Sequence, residues 1–307
     1  MGLPIASDFC AQASLDHQEP IVGTAAADTS VWLGVEVRGP WPHNAFACAA
    51  VPEALRAQLE QWAGRIPGFR PQALRRPGRE HCAEPAVFVA LTGPDADAVV
   101  RLRVASLEAL AEVDLPSVVE TLRAGGVPDG ARSVSEPMVW VCVHGKRDRC
   151  CAKWGAPVFE AAAGVEGVEV WQTSHLGGHR FAATLLTLPK GICYGRVQPD
   201  DMAGLVRSHA AGRVHDLTLL RGRTCWSAAS MAAIHFVRAH LGELEIDGFL
   251  PSSEAATDEG TRVRVQSPRG AFDVLVQKRA VGGEAPPSCE KALEPVMGWF
   301  QVELRQG

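Results

Sequence analysis

The chain has 307 residues and a formal net charge of −5, and 47% of its residues are hydrophobic. This length and apolar content suffice for a large core and predict two or three domains, whereas the negative charge argues against general nucleic-acid binding. The nine cysteines are odd in number and irregularly spaced, which favours a reducing compartment over a disulfide framework. We expect a cytoplasmic protein, because the sequence has no secretory signal, no myristoylation pattern and no apolar run of about 18 residues.

Residues 25–127 have the pattern of a small unit of mixed strands and helices, after a first 24 residues with little periodicity that predict an arm or loop. Strands are predicted from Val31 (VWLGVEV) and near residues 72–76, 87–91 and 99–104, and helices near residues 53–63 and 117–124. The resulting order, β-α-β-β-β-α, is that of a thioredoxin-like unit.

Residues 131–214 predict a second unit with the same order of elements. Its predicted elements are a buried strand over residues 138–143, a helix over 158–163 with Pro157 in its first turn, a strand over 168–172, a hairpin of 181–188 and 192–197, and a helix over 199–211. Val31-Trp32 in the first unit matches Val139-Trp140 in the second. We therefore infer an α/β (α+β) protein in which a thioredoxin-like unit is duplicated and the first copy is degenerate.

Residues 215–307 predict a smaller α+β segment. It should contain a helix over residues 227–240, a hairpin of 262–266 and 272–278, an exposed acidic loop over 254–260 and a closing helix over 290–305. The segment has no Gly-rich nucleotide loop, no paired carboxylates at a strand end and no nucleophile elbow. These features favour a carrier over an enzyme in its own right.

Two thiols and two imidazoles form the candidate metal or cluster site. Cys142 is at the C-terminal end of a predicted strand, and eight residues separate it from Cys151. Three residues separate His175 from His179, and two of the three are glycines that predict a turn. Cys150 adjoins Cys151 and is separated from Cys142 by seven residues, so either cysteine could be the second thiol.

Five further cysteines and five further histidines are interpreted as structural, because no spacing links them to a ligand set. They are Cys48, Cys82, Cys193, Cys225 and Cys289, and His144, His209, His215, His235 and His240.

The strand-end cysteine, the eight-residue gap and the H-x3-H pair within SHLGGHRFA resemble the sucrase/ferredoxin-like family of thioredoxin-like 2Fe-2S ferredoxins. Weaker matches are EPIVGTA near the N-terminus, RRPGR over residues 75–79 and RGRTCW over residues 221–226. The resemblance implies that Cys142 and Cys151 bind one iron of a 2Fe-2S cluster, and that His175 and His179 bind the other. The implied function is one-electron transfer.

Ligand charge explains why such a site would use histidines. An oxidised core with two thiolates and two neutral imidazoles has no net charge, whereas four thiolates would give it a charge of −2, so the histidine form accepts an electron more easily. In Rieske centres the same replacement raises the potential to roughly −150 to +300 mV.

Two other functions fit the same residues. A tetrahedral Cys2His2 zinc site could serve a structural interaction module, although eight residues between cysteines exceeds the common gap of about two to four. A metal-free thiol-disulfide oxidoreductase could use Cys151 with Cys142 or Cys150, although the motif is not C-x-x-C.

Basic residues concentrate around the cysteine loop. Residues 132–213 contain ten Lys and Arg against seven Asp and Glu. Lys146, Arg147, Arg149 and Lys153 lie beside the cysteines. We expect them to form either a solvated loop or a docking surface for an acidic redox protein partner, because complementary charge speeds encounter.

Overall fold

Apolar, β-branched segments build two sheets in the computed structural model, which describes residues 9–78, 84–94 and 96–307. Within these residues one sheet has ten strands and the other has four. The helices are α1 Cys10–Asp16, α2 Glu53–Arg65, α3 Leu107–Ala111, α4 Leu115–Arg123, α5 Arg149–Ala163, α6 Asp201–Ala210 and α7 Ala228–Leu241. The strands are β1 Val31–Glu36, β2 Phe69–Arg75, β3 Val87–Thr92, β4 Asp97–Leu102, β5 Ala131–Ser133, β6 Met138–Cys142, β7 Glu169–Thr173, β8 Leu185–Leu188, β9 Ile192–Tyr194, β10 Leu220–Arg223, β11 Leu250–Thr257, β12 Gly260–Ser267, β13 Gly270–Ala285 and β14 Glu294–Gln306.

The large sheet joins two units of the same topology. Its order is β10-β9-β8-β6-β7-β2-β1-β3-β4-β5. In the first unit β1 pairs parallel with β2 and antiparallel with β3, and β3 pairs antiparallel with β4. In the second unit β6, β7, β8 and β9 repeat this pattern, and β2 joins β7 across the centre. The predicted thioredoxin-like order and its duplication are confirmed.

The domain boundaries at residues 127, 131 and 214 stay predictions. β5 falls in the range assigned to the second unit, yet it pairs with β4 of the first. β10 falls in the range assigned to the third segment and pairs with β9 of the second unit.

The core beneath the junction of the two units also holds the candidate site. Trp32 of β1 and Trp140 of β6 are both buried, and their ring centroids lie 6.5 Å apart in an edge-to-face arrangement. Cys142 and Cys151 belong to the same apolar cluster, together with Leu176. The candidate thiols therefore lie inside the hydrophobic core rather than on a surface loop.

Helix α5 begins at Arg149, nine residues before the predicted start at residue 158, which corrects the placement of Pro157. The Asp148 side chain caps the helix by accepting the N–H of Cys150 at 2.9 Å. Pro157 lies inside the helix, where it removes one backbone donor without ending it. As a result Cys150 and Cys151 lie in the first turn of a helix instead of a loop.

The C-terminal segment contradicts two predictions. The closing helix over residues 290–305 is wrong, because β14 occupies most of that range and pairs along β13. The acidic loop over 254–260 is wrong, because β11 covers most of it and pairs with β12. The predicted hairpin, β12–β13, and the predicted helix, α7, are confirmed. The two outer edges of the β12–β13 hairpin pair with the segments on either side of it, β11 and β14. Local periodicity does not reveal such pairing.

The N-terminal arm contains a short helix, α1, that the sequence did not predict. None of the helices in the described ranges has the length and apolar character needed to cross a membrane.

The packing of α5 on β6 depends on Gly155. A Cβ atom at this buried position would overlap the carbonyl oxygen of Cys142. We expect Gly155→Ala to lower the free energy of unfolding by about 1–3 kcal/mol, because overpacking forces backbone shifts. Gly64→Ala in α2 is the matched control, since its Cβ would meet open space, and it should stabilise the helix by up to about 1 kcal/mol. Urea unfolding followed by circular dichroism measures both, and equal stability of Gly155→Ala and wild type would refute the packing argument.

Candidate metal centre

Strand β6 and helix α5 position the two candidate thiols. Cys142 is the last residue of β6 and is fully buried, and its N–H donates to the Thr184 carbonyl at 3.0 Å. Cys151 is the third residue of α5 and is 1% exposed. The potential ligand atoms of Cys142, Cys151 and His175 all lie within 4.8 Å of one another.

The two histidines lie on the loop after β7. Gly177 and Gly178 between them have φ angles of +93° and +69°, so this turn needs residues without a Cβ. His175 Nδ1 lies 3.7 Å from Cys151 Sγ. His179 lies further out, with its Nδ1 3.4 Å from His175 Nε2.

The outer nitrogen of His179 has a fixed partner. Its Nε2 lies 2.7 Å from the Pro287 carbonyl oxygen, which can only accept a hydrogen bond, and 3.6 Å from Asp148 Oδ2. This places the proton on Nε2 and leaves the Nδ1 lone pair facing the candidate centre. Burial lowers the pKa of His179, so the neutral, ligand-competent imidazole is favoured.

The two thiols are linked by a hydrogen bond. This bond lowers the pKa of Cys142 well below its usual value, although complete burial acts in the opposite direction. The same hydrogen bond raises the pKa of Cys151. Of the two, Cys142 is therefore the thiol that more readily becomes a thiolate, the form that binds metals.

Two arginines hold the histidine loop by its carbonyl groups. Arg70 Nη2 donates to the His175 carbonyl at 3.3 Å. Arg221 is 1% exposed and its Nη1 donates to the Gly177 carbonyl at 2.9 Å, while its Nε donates to Thr24 Oγ1 at 3.1 Å. Arg221 belongs to the RGRTCW segment, one of the weaker sequence matches described above, and through this residue the segment supports the loop. No sequence signal identified Arg70.

Cys150 faces a different set of neighbours from Cys151. Its Sγ lies 3.4 Å from Cys10 Sγ and 3.3 Å from Cys289 Sγ. Cys289 was interpreted as a small core residue, but it is only partly buried and its sulfur also contacts Asp148. No sequence spacing indicates this second group, because Cys10 and Cys289 are far along the chain from residues 148–150.

Two of the remaining histidines make structural hydrogen bonds, as expected. His144 Nε2 bonds to the Pro42 carbonyl at 2.7 Å, and His209 Nε2 pairs with Tyr194 Oη at 2.8 Å. Cys82 lies outside the described residues.

Comparison with known proteins identifies relatives of this chain. A sequence model of the sucrase/ferredoxin-like family matches residues 21–222, about two thirds of the chain. Altered inheritance of mitochondria protein 32 from Debaryomyces hansenii is 34% identical over 92 residues, which cover 26% of this chain and 33% of that protein. Its Meyerozyma guilliermondii counterpart is 31% identical over 85 residues, which cover 24% of this chain and 30% of that protein. The match thus spans about a third of these relatives' length.

Solved structures of the thioredoxin-like [2Fe-2S] ferredoxin from Aquifex aeolicus also match. The wild-type structure at 1.5 Å is 21% identical, with a TM-score of 0.25, and the match covers 28% of this chain and 97% of the ferredoxin. A cysteine-to-serine variant at 1.05 Å gives 21% identity, a TM-score of 0.24, and coverage of 27% and 96%.

Substitution of Arg221 tests whether this residue stabilises the histidine loop. Arg221→Lys keeps the charge but loses the planar fork that reaches both Gly177 and Thr24. We expect the free energy of unfolding to fall by about 1–3 kcal/mol, because buried carbonyl groups lose their donor. Arg103→Lys at an exposed position is the control and should stay within about 0.5 kcal/mol of wild type. Equal denaturation midpoints for the two variants would contradict this role.

Proposed function

Because the chain belongs to the sucrase/ferredoxin-like family, we propose that it transfers single electrons through a 2Fe-2S cluster bound by Cys142, Cys151, His175 and His179. The main support is the convergence of three of these side chains, Cys142, Cys151 and His175, within 4.8 Å in a buried core. His179 adjoins them and presents its Nδ1. Two thiols and two imidazoles are a donor set that 2Fe-2S centres use.

The surroundings of the site suit a cluster with little net charge. Cys142 and Cys151 pack in an apolar cluster with Trp140 and Leu176, where an isolated charge is costly. A 2Fe-2S cluster supplies reversible one-electron chemistry. Two neutral imidazoles in place of two thiolates remove two negative charges from the buried site, so reduction costs less. The Pro287 carbonyl keeps the His179 proton on the outer nitrogen, which preserves the neutral donor.

The site comes closest to solvent at His179. The His179 side chain is 16% exposed, whereas Cys142 and Cys151 are at most 1% exposed. His179 lines a surface depression together with Lys146 and Arg147. We propose that electrons enter and leave at this edge.

The basic residues beside this depression would receive the redox partner. Lys146, Arg147, Arg149 and Lys153 are exposed on the loop and first turns that carry the cysteines. A partner with an acidic docking face would be attracted to them, because complementary potentials steer association.

A structural zinc site is the second candidate. The ligand atoms of Cys142, Cys151 and His175 lie close enough together for a single tetrahedral ion. In that case the chain would be an interaction module without redox activity.

Spectroscopy of protein purified without air distinguishes these two functions. We expect visible charge-transfer absorption that dithionite bleaches, with two irons and two acid-labile sulfides per chain at this site. Cys151→Ser should abolish or strongly shift the absorption, because it removes a ligand. Cys150→Ser is the matched control and should keep the spectrum, since its sulfur faces Cys10 and Cys289. A colourless wild-type protein, with zinc that depends on Cys151 and His175, would establish the structural alternative.

Histidine ligation predicts the direction of a redox shift. Replacing both His175 and His179 by cysteine would change the charge of the oxidised core from zero to −2. We expect the midpoint potential to fall by on the order of hundreds of mV, the scale that separates Rieske from all-cysteine clusters. Potentiometric titration followed by electron paramagnetic resonance measures the shift, and His240→Ala at an exposed position serves as control. A double variant that retains both its cluster and the wild-type potential would rule out histidine ligation.

A further inference from the structure

A second group of potential ligands lies beside the candidate centre. It consists of Cys10, Cys150, Cys289 and Asp148, and is called the thiol cluster below. One ligand atom from each of the four residues lies within 4.8 Å of the others. Cys10 begins α1, Asp148 and Cys150 form the start of α5, and Cys289 lies between β13 and β14. The fold therefore brings three remote segments to one point.

The spacing of the sulfur atoms suits coordination to one ion. The Sγ atoms of Cys10 and Cys150 are 3.4 Å apart, those of Cys150 and Cys289 are 3.3 Å apart, and those of Cys289 and Cys10 are 3.7 Å apart. A disulfide would bring two sulfurs to about 2.05 Å. Sulfurs at the corners of a tetrahedron around zinc, with Zn–S bonds of about 2.3 Å, lie about 3.8 Å apart. All three pairs are closer to the second value than to the first.

Asp148 completes the tetrahedral set, and backbone N–H groups hold its carboxylate in place. Its Oδ1 lies 3.2 Å from Cys289 Sγ, and both its oxygens lie 3.8 Å from Cys10 Sγ. An oxygen and a sulfur on the same zinc ion would be about 3.6 Å apart. The N–H groups of Cys150 and Cys289 donate to its two oxygens at 2.9 and 3.0 Å. Backbone donors of this kind orient a metal-binding carboxylate.

Burial adds a chemical reason for a cation. Cys10, Cys150 and Asp148 are at most 5% exposed, and the N–H of Ala11 points at Cys150 Sγ at 3.4 Å. As thiols, these side chains offer only weak S–H donors to the Asp148 carboxylate and to one another. A divalent ion would satisfy all four at once, whereas mutual burial of such groups without one is costly.

We propose that the thiol cluster binds a structural Zn²⁺ ion through Cys10, Cys150, Cys289 and Asp148. Soft thiolates select zinc over magnesium or calcium, and four protein ligands leave no open position for catalysis. Binding releases the protons of those cysteines that are still thiols, and ties α1 and the segment after β13 to the start of α5. This proposal does not depend on the cluster at Cys142.

Metal binding by the full chain carrying Cys142→Ser and Cys151→Ser isolates the thiol cluster from the other site. We expect this protein to bind one zinc per chain in titrations against a chromogenic chelator. Adding Cys10→Ser or Cys289→Ser should weaken zinc binding at least tenfold. Asp148→Asn should weaken it by a similar factor and still cap α5, because Asn and Asp are comparable caps. Cys48→Ser, which lies away from the cluster, should bind as tightly as the parent.

A second measurement uses the wild-type protein and does not depend on how the variants fold. With zinc bound, Cys10, Cys150 and Cys289 should resist alkylation, and a strong chelator should expose all three, as mapped by peptide mass spectrometry. Failure of the full chain to bind zinc, or unchanged affinity in folded Cys10→Ser and Cys289→Ser variants, would overturn the proposal. A disulfide between any two of the three in protein purified without air would overturn it as well.

Discussion

The contact between the first turns of α5 and the end of β6 determines the geometry of this site. Gly155 lets the helix lie against the Cys142 carbonyl, and Asp148 fixes the residue at which the helix starts. Consecutive residues on an α-helix project about 100° apart. Cys150 and Cys151 therefore face different environments, one toward Cys10 and Cys289 and the other toward Cys142 and His175. A shift of the helix start by one residue would move Cys150 to the position of Cys151 and turn Cys151 by about 100° away from Cys142 and His175.

The histidine loop shows how the two units of the sheet cooperate. Arg70 belongs to β2 of the first unit, yet it donates to the His175 carbonyl in the second. Arg221, from the strand after the second unit, holds the adjacent Gly177. The first copy carries no proposed ligand, but its strand β2, which pairs with β7, stabilises the loop that does. The first unit thus supports the candidate site that the second unit carries.

The two candidate sites are physically linked. Pro287 accepts a hydrogen bond from His179, and Cys289, two residues later, belongs to the thiol cluster. Asp148 also lies 3.6 Å from His179 Nε2. An ion at the thiol cluster would therefore restrain both the carbonyl and the carboxylate that surround the outer histidine. The orientation of His179 at one site would depend on order at the other, because outer hydrogen bonds set ligand orientation.

The sequence by itself determined what local pattern and short spacing encode. Apolar runs and turns gave the order of elements in both units, and the cysteine and histidine spacings identified Cys142, Cys151, His175 and His179 as candidate ligands. The strand character of residues 294–306 was decided by the free edge of β13, a partner that no local window contains. The thiol cluster required the tertiary structure, since Cys10 and Cys289 are 279 positions apart in the sequence. Coordination depends only on proximity in space, and no sequence period records a contact between such distant segments.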